Sequence, residues 1–205
     1  EVRERTRMLP DKSYFLVAKD YNNNVKGVAV IDYLDRPMES NKPVGSGVAY
    51  LEYIAVDKNV RRSGLGTRLF WEGVKRIHSD GYYPSSAVSD IAKVDDHVDG
   101  LDVDAVLSRL RFAQNRGAQV VTNVDFKVPT HTHHREIPAY LLITKLKDDF
   151  HFDKWYLRGV IYSLVYDVFR WDRDVSQKRA DELFDDIASS MTGKEVSLVD
   201  PLSVF

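Results

Sequence analysis

The chain has 205 residues, 43 % apolar and 29 % charged, which places it in the globular range, most simply as one domain with an extension. Its formal net charge of -2 argues against a general attraction to nucleic acid or to an anionic membrane. The absence of cysteine excludes disulfides, a thiolate nucleophile and cysteine metal sites, and suits a reducing cytoplasm; no secretion signal or bilayer-length apolar run is evident. The sequence opens at Glu1 rather than Met, which raises the expectation of residues ahead of it.

Ser13 to Lys19 reads as a strand, Asn22-Asn-Asn24 as a turn and Gly27 to Tyr33 as a second strand, so a hairpin is expected. Asp35 to Gly47, with two prolines and two glycines, reads as a loop long enough to help form a site. The strand Val48 to Val56 follows, then the turn Asp57 to Gly66, in which Arg61 and Arg62 stand beside Gly64 and Gly66. Leu65, Leu69, Phe70, Val74 and Ile77 recur at helical spacing, and the helix closes near Ser79-Asp-Gly81. A strand feeding a glycine turn and a helix start is a phosphate-gripping arrangement. Glycine lets backbone approach a ligand, the first N–H groups of a helix point at an anion, and arginine adds charge.

Ser85 to Val94 carries a weaker strand around Ala87 to Ile91, and Asp104 to Arg116 reads as a helix capped by Gly117. Ala118 to Val128 and Ile137 to Leu146 read as a final strand pair, flanking Pro129-Thr-His-Thr-His-His-Arg135. This order predicts a mixed α/β layer. Past Asp148 the character changes. Asp153 to Phe169 is apolar on nearly every face, as a buried or interface helix would be. Asp174 to Gln177 suggests a capping box for a last helix striped with Ala180, Leu183, Phe184, Ile187, Ala188 and Met191. This pair is expected to dock on the main domain or on a second subunit, which would make a homodimer.

Arg61-Arg-Ser-Gly-Leu-Gly66 resembles the Arg/Gln-x-x-Gly-x-Gly/Ala signature of the GNAT acyl-CoA-dependent N-acyltransferases. The elements around it keep that family's order: a hairpin, a long strand with Glu-x-Ile-x-Val, the glycine turn and a helix. Arg111 to Ala118 is similar to the family's later helix–strand junction, and the likeness spans roughly Ser13 to Leu146. The resemblance implies a mainly antiparallel sheet with flanking helices: a GNAT-like acyl-CoA-binding domain over 1–148 and a helical extension over 149–205. Relatives have a strand and two helices before the hairpin, where only twelve residues stand here. Either those elements precede this sequence or the helices after Asp148 take their role.

The resemblance further implies acetyl-CoA or another acyl-CoA as co-substrate. Ile54, Ala55 and Val56 would offer backbone to the pantetheine arm. Arg61, Arg62, Ser63, Gly64, Leu65, Gly66 and Thr67 would hold the pyrophosphate. Glu52 fills the slot where relatives place a carboxylate that takes the proton of the amine. The tyrosine that many relatives use as acid toward sulfur is replaced by Ala113, so Tyr140, Tyr82, Tyr83 or solvent would supply that proton, with Tyr140 the candidate named. The acceptor expected is a small primary amine. A peptide or protein N-terminus, or a catalytically weak CoA-binding interaction module, are the alternatives. The acidic stretch Asp90, Asp95, Asp96, Asp99, Asp102 and Asp104 tilts the acceptor toward cations. His131, His133 and His134 invite a metal reading, but without a cysteine partner the expectation is an exposed loop beside the acceptor and no metal.

Overall fold

The computed structural model describes residues 12–35, 47–93, 102–130, 135–170 and 175–204. β1 (Ser13–Lys19) and β2 (Val25–Leu34) form the expected hairpin. Its turn closes where the Asp20 carboxylate accepts the backbone N–H groups of Asn22 and Asn24. β3 (Val48–Val56) pairs antiparallel with β2 on one edge and parallel with β4 (Ser86–Ala92) on the other. The crossover between β3 and β4 runs through α1 (Leu65–Ser79). α2 (Val103–Gln114), N-capped by Asp102 at 2.6 Å from Ala105 N, leads to β5 (Ala118–Thr122), β6 (Lys127–Pro129) and β7 (Glu136–Lys145).

α3 (Lys154–Ser163) continues as a π-helical stretch, Leu164–Phe169. α4 (Gln177–Ser190), β8 (Ser197–Val199) and a 3-10 turn, Pro201–Val204, follow. The sheet order is β1-β2-β3-β4-β7-β5-β8, with β6 against β7, and β3–β4 is its parallel pair.

Three details differ from the sequence reading. The segment expected as one strand from Ala118 to Val128 breaks at Asn123, whose φ of 60° turns the chain and whose Nδ2 donates to Glu195 O at 2.7 Å. The cap of α4 is Ser176, accepting from Arg179 N at 3.3 Å; the expected Asp174 lies outside the described residues. The residues after α4 add a strand to the sheet, so the C-terminal segment is more than a helical appendage.

Both faces of the sheet are covered. On one face α1 sets Phe70, Val74 and Ile77 against Ile31, Tyr33, Ala49 and Leu51. Beside it α2 sets Val106, Leu110 and Ala113 against Ile91, Val120 and Leu142. The opposite face belongs to the C-terminal segment: Leu157, Val160, Ile161, Leu164, Phe169, Leu183 and Ile187 share one buried cluster with Val48, Tyr50, Val88, Leu141 and Ile143. Each such side chain contributes about 1.5–3 kcal/mol when fully buried. The apolar run after Asp153 is therefore the second wall of the core.

Candidate active site

β3 and β4 touch at one end and part at the other. Their ladder joins Val48 to Ser86, Ala49 to Ala87 and Tyr50 to Val88, and goes no further. From Leu51 onward β3 is paired with β2 alone, so its other edge offers backbone groups that no neighbouring strand takes up. The register with β2 also shifts: Val30 faces Tyr53 and Ile31 faces Leu51, leaving Glu52 as the extra residue of a β-bulge.

A cavity of about 510 Å³ fills the gap. Leu51, Glu52, Tyr53 and Ile54 line it in succession, which a strand with an ordinary pleat and a paired edge would not allow. Ser89 to Ala92 form the facing strand wall, and Val128, Pro129, Thr130 and Ile137 close another side. Arg109, Phe112 and Arg116 reach it from α2 and the residues just beyond. Two carboxylates are thus among the lining residues, Glu52 and Asp90, and Asp90 accepts from the Tyr50 hydroxyl at 2.6 Å.

The glycine turn lies past the open end of β3. Asp57 accepts from Asn59 N and starts the short turn Lys58–Val60. Arg61 then reaches back, its Nε donating to Val56 O at 3.3 Å, while Arg62 takes a φ of 63°. Gly64 stands at the head of α1 with φ 81°, a left-handed position that favours glycine, and a Cβ there would meet nothing within 4 Å. Gly64 O accepts from Arg68 N at 3.0 Å, and no side chain caps the helix start. Arg61, Arg62 and Ser63 are exposed around it. Gly66 is needed for packing instead. A Cβ there would come within 3.0 Å of the Phe112 ring, so this glycine lets α1 and Phe112 meet.

The structure brings together Glu52, Ile54 and the strand end at Ala55 and Val56, with the turn following directly. It does not bring Tyr140 to them. That residue faces Ile91 in the β4–β7 ladder and packs in the α2 cluster, and its hydroxyl donates to Val204 O at 3.3 Å. The expectation of Tyr140 as an acid finds no support in this placement. Tyr82 stacks on Tyr33, and Tyr83 lies against His78. Ala113 is fully buried and does not line the cavity. His131, His133, His134, Asp95, Asp96 and Asp99 lie outside the described residues, and among the described ones no group of three metal-ligating side chains occurs. No helix among the described residues is long and apolar enough to cross a membrane.

Sequence reasoning missed Tyr53, Ser89, Arg109, Phe112 and Arg116 as lining residues. The last three do carry a signal, since spacings of three and four set them on one face of a helix and its extension. Arg116 is 6 % exposed, with its guanidinium between the Phe70 ring at 4.5 Å and the Phe112 ring at 4.3 Å. Burial lowers its pKa to about 10, so it stays cationic at neutral pH.

The family profile for acetyltransferases of the GNAT family matches residues 2–90. No curated protein matches the chain by sequence. Among solved structures, similarity extends to the ribosomal-protein-S18-alanine N-acetyltransferase of Escherichia coli, at 14 % identity and a TM-score of 0.44 over 74 % of this chain and 83 % of that one. Naa20 of Chaetomium thermophilum, solved with a bisubstrate analogue, gives 17 % identity and a TM-score of 0.46 over 66 % and 67 %. An aminoglycoside 6'-N-acetyltransferase of Acinetobacter haemolyticus gives 18 % and 0.38 over 56 % and 68 %.

Proposed function

We propose that this chain, whose residues 2–90 match the family model for GNAT acetyltransferases, moves an acyl group from acyl-coenzyme A to a primary amine on a small molecule. Acetyl is the default donor group, and transfer is direct, through a tetrahedral intermediate. One observation carries the reading: a cavity opens where β3 leaves β4, a bulged glutamate lines it, and the uncapped start of α1 follows within the same chain segment.

In this reading the first N–H groups of α1 receive the diphosphate, helped by Arg61, Arg62 and Ser63. The pantetheine arm lies along Ile54, Ala55 and Val56, completing an edge that β4 leaves unpaired. Glu52 takes a proton from the ammonium form of the acceptor, directly or through water, so that the amine can attack the thioester carbonyl. A backbone N–H near Ile54 or Val56 donates to the oxyanion. The nitrogen gives its second proton to water, the intermediate collapses to the amide as the carbon–sulfur bond breaks, and the departing thiolate takes a proton from solvent.

Saturating coenzyme A should move the amide resonances of Arg62 to Thr67 in an NMR titration, and unmoved resonances would overturn the cofactor site. Acetyl-CoA offered with a panel of small amines should release free thiol. Firm binding of coenzyme A with no thiol released across the panel would instead favour a binding module, a second reading that the buried methyl of Ala113 motivates.

A further inference from the structure

We infer that Arg116 receives a carboxylate carried by one of the two substrates, so that the cavity selects either an acyl-CoA whose acyl group ends in a carboxylate or an amine acceptor that is itself a carboxylic acid. This inference rests on the cofactor reading above and adds the charge of the substrate to it.

Arg116 is a buried cation with an incomplete set of partners. Its Nε donates to Phe112 O at 3.4 Å, and two aromatic faces flank the guanidinium. No carboxylate among the described residues lies within ion-pair distance of it. A guanidinium withdrawn from water without a counter-charge is costly, and an arriving anion would offset that cost. Arg116 is one of the residues that line the cavity, and its Nη groups are not among the fully buried polar atoms without a partner.

The cofactor's phosphates are poorly placed to be that anion. Phe112 meets the Gly66 position with its ring edge and carries Arg116 on its face, and the guanidinium also lies against the ring of Phe70, a core residue of α1. Leu51 and Ser89, the residues just beyond the last β3–β4 pairs, line the same cavity. What reaches so far inward is the reacting end of the substrates. Arg109, at the exposed rim, adds a second positive charge on the same helix face. A planar fork of donors held between two rings suits the two oxygens of a carboxylate.

The test measures binding by calorimetry on the whole chain, with probes matched in length. In the donor arm succinyl-CoA is compared with butyryl-CoA. In the acceptor arm β-alanine is compared with propylamine on protein saturated with coenzyme A. Coenzyme A itself is the reference. One arm should favour the carboxylate by about tenfold, and Arg116→Met should abolish that preference while leaving free coenzyme A within about twofold. Arg116→Lys should retain part of it. Equal binding within both pairs, with coenzyme A bound normally, overturns the inference and leaves the cofactor reading intact. An equal loss of coenzyme A itself in Arg116→Met would assign the guanidinium to a phosphate and also overturn it. Should coenzyme A fail to bind the unaltered chain, the cofactor reading falls and takes this inference with it. The comparison within unaltered protein needs no variant, so poor folding of Arg116→Met cannot obscure the result.

Discussion

Strand β3 has two halves that differ in almost every physical respect. Val48, Ala49 and Tyr50 are paired on both edges and fully buried. Glu52 to Val56 keep one partner strand, and none of them is buried. The closed half is sealed by the C-terminal helices, since Val48, Tyr50 and Val88 belong to the same cluster as Leu157, Val160 and Ile187. The open half gives up its ladder with β4 and gains a cavity. Stability and binding are thus divided along a single strand, and the closed half supplies what the open half forgoes.

The strongest way to break this division is to remove the seal. Deleting the chain from Asp153 onward strips one face of the sheet of more than ten buried apolar side chains. At about 1.5–3 kcal/mol each, their loss exceeds the roughly 5–15 kcal/mol by which a domain is stable. The truncated chain should show no cooperative thermal transition by near-UV circular dichroism and should aggregate. A monomeric remnant with a sharp transition would show that the closed half stands without its helices.

Much of the open half is legible in local sequence, because a strand, a glycine turn and a helix start leave period and spacing within a few residues of one another. The bulge at Glu52 is not, since register depends on which residues of β2 lie opposite. β4 reads weakly because Ser86 and Asp90 look wrong for a central strand. Their partners, the hydroxyls of Tyr156 and Tyr50, stand far away in sequence. Tyr140 misleads for a related reason: sequence gives its strand, while the ladder with β4 decides the layer it packs in. Three-residue β8 carries no period to detect.

Within the open half, chemistry and cofactor binding should separate. Glu52→Gln keeps the size of the side chain and removes the base, so turnover should fall about 100-fold or more while the affinity for coenzyme A stays within about twofold. Stopped-flow thiol release and calorimetry read the two quantities. Unchanged turnover would remove Glu52 from the mechanism. Gly64→Val has the converse effect. A branched residue at φ 81° costs roughly 1–2 kcal/mol, and relaxing that strain turns the N–H groups at the head of α1 away from the diphosphate. Affinity for coenzyme A should drop about tenfold, and an unaltered affinity would show that the turn does not hold the cofactor.

The smallest expected effect is on the stability of the ligand-free protein when the cation in the cavity wall is removed. In Arg116→Met two ring contacts are lost, worth about 0.5–2 kcal/mol each, and the cost of a desolvated charge is lost with them. The two nearly cancel, so unfolding in urea should change by no more than about 1 kcal/mol in either direction. The pH dependence gives the sign independently. Burial lowers the folded-state pKa to about 10, below the ordinary value for arginine, so the unfolded chain holds this proton more tightly. The penalty is complete at neutral pH and is relieved as pH rises through about 10. The unaltered protein should therefore gain stability relative to Arg116→Met across that window. A loss of several kcal/mol at neutral pH, with no such convergence, would make the guanidinium a brace between α1 and α2, and the open half of β3 would then hold no charge in reserve for a ligand.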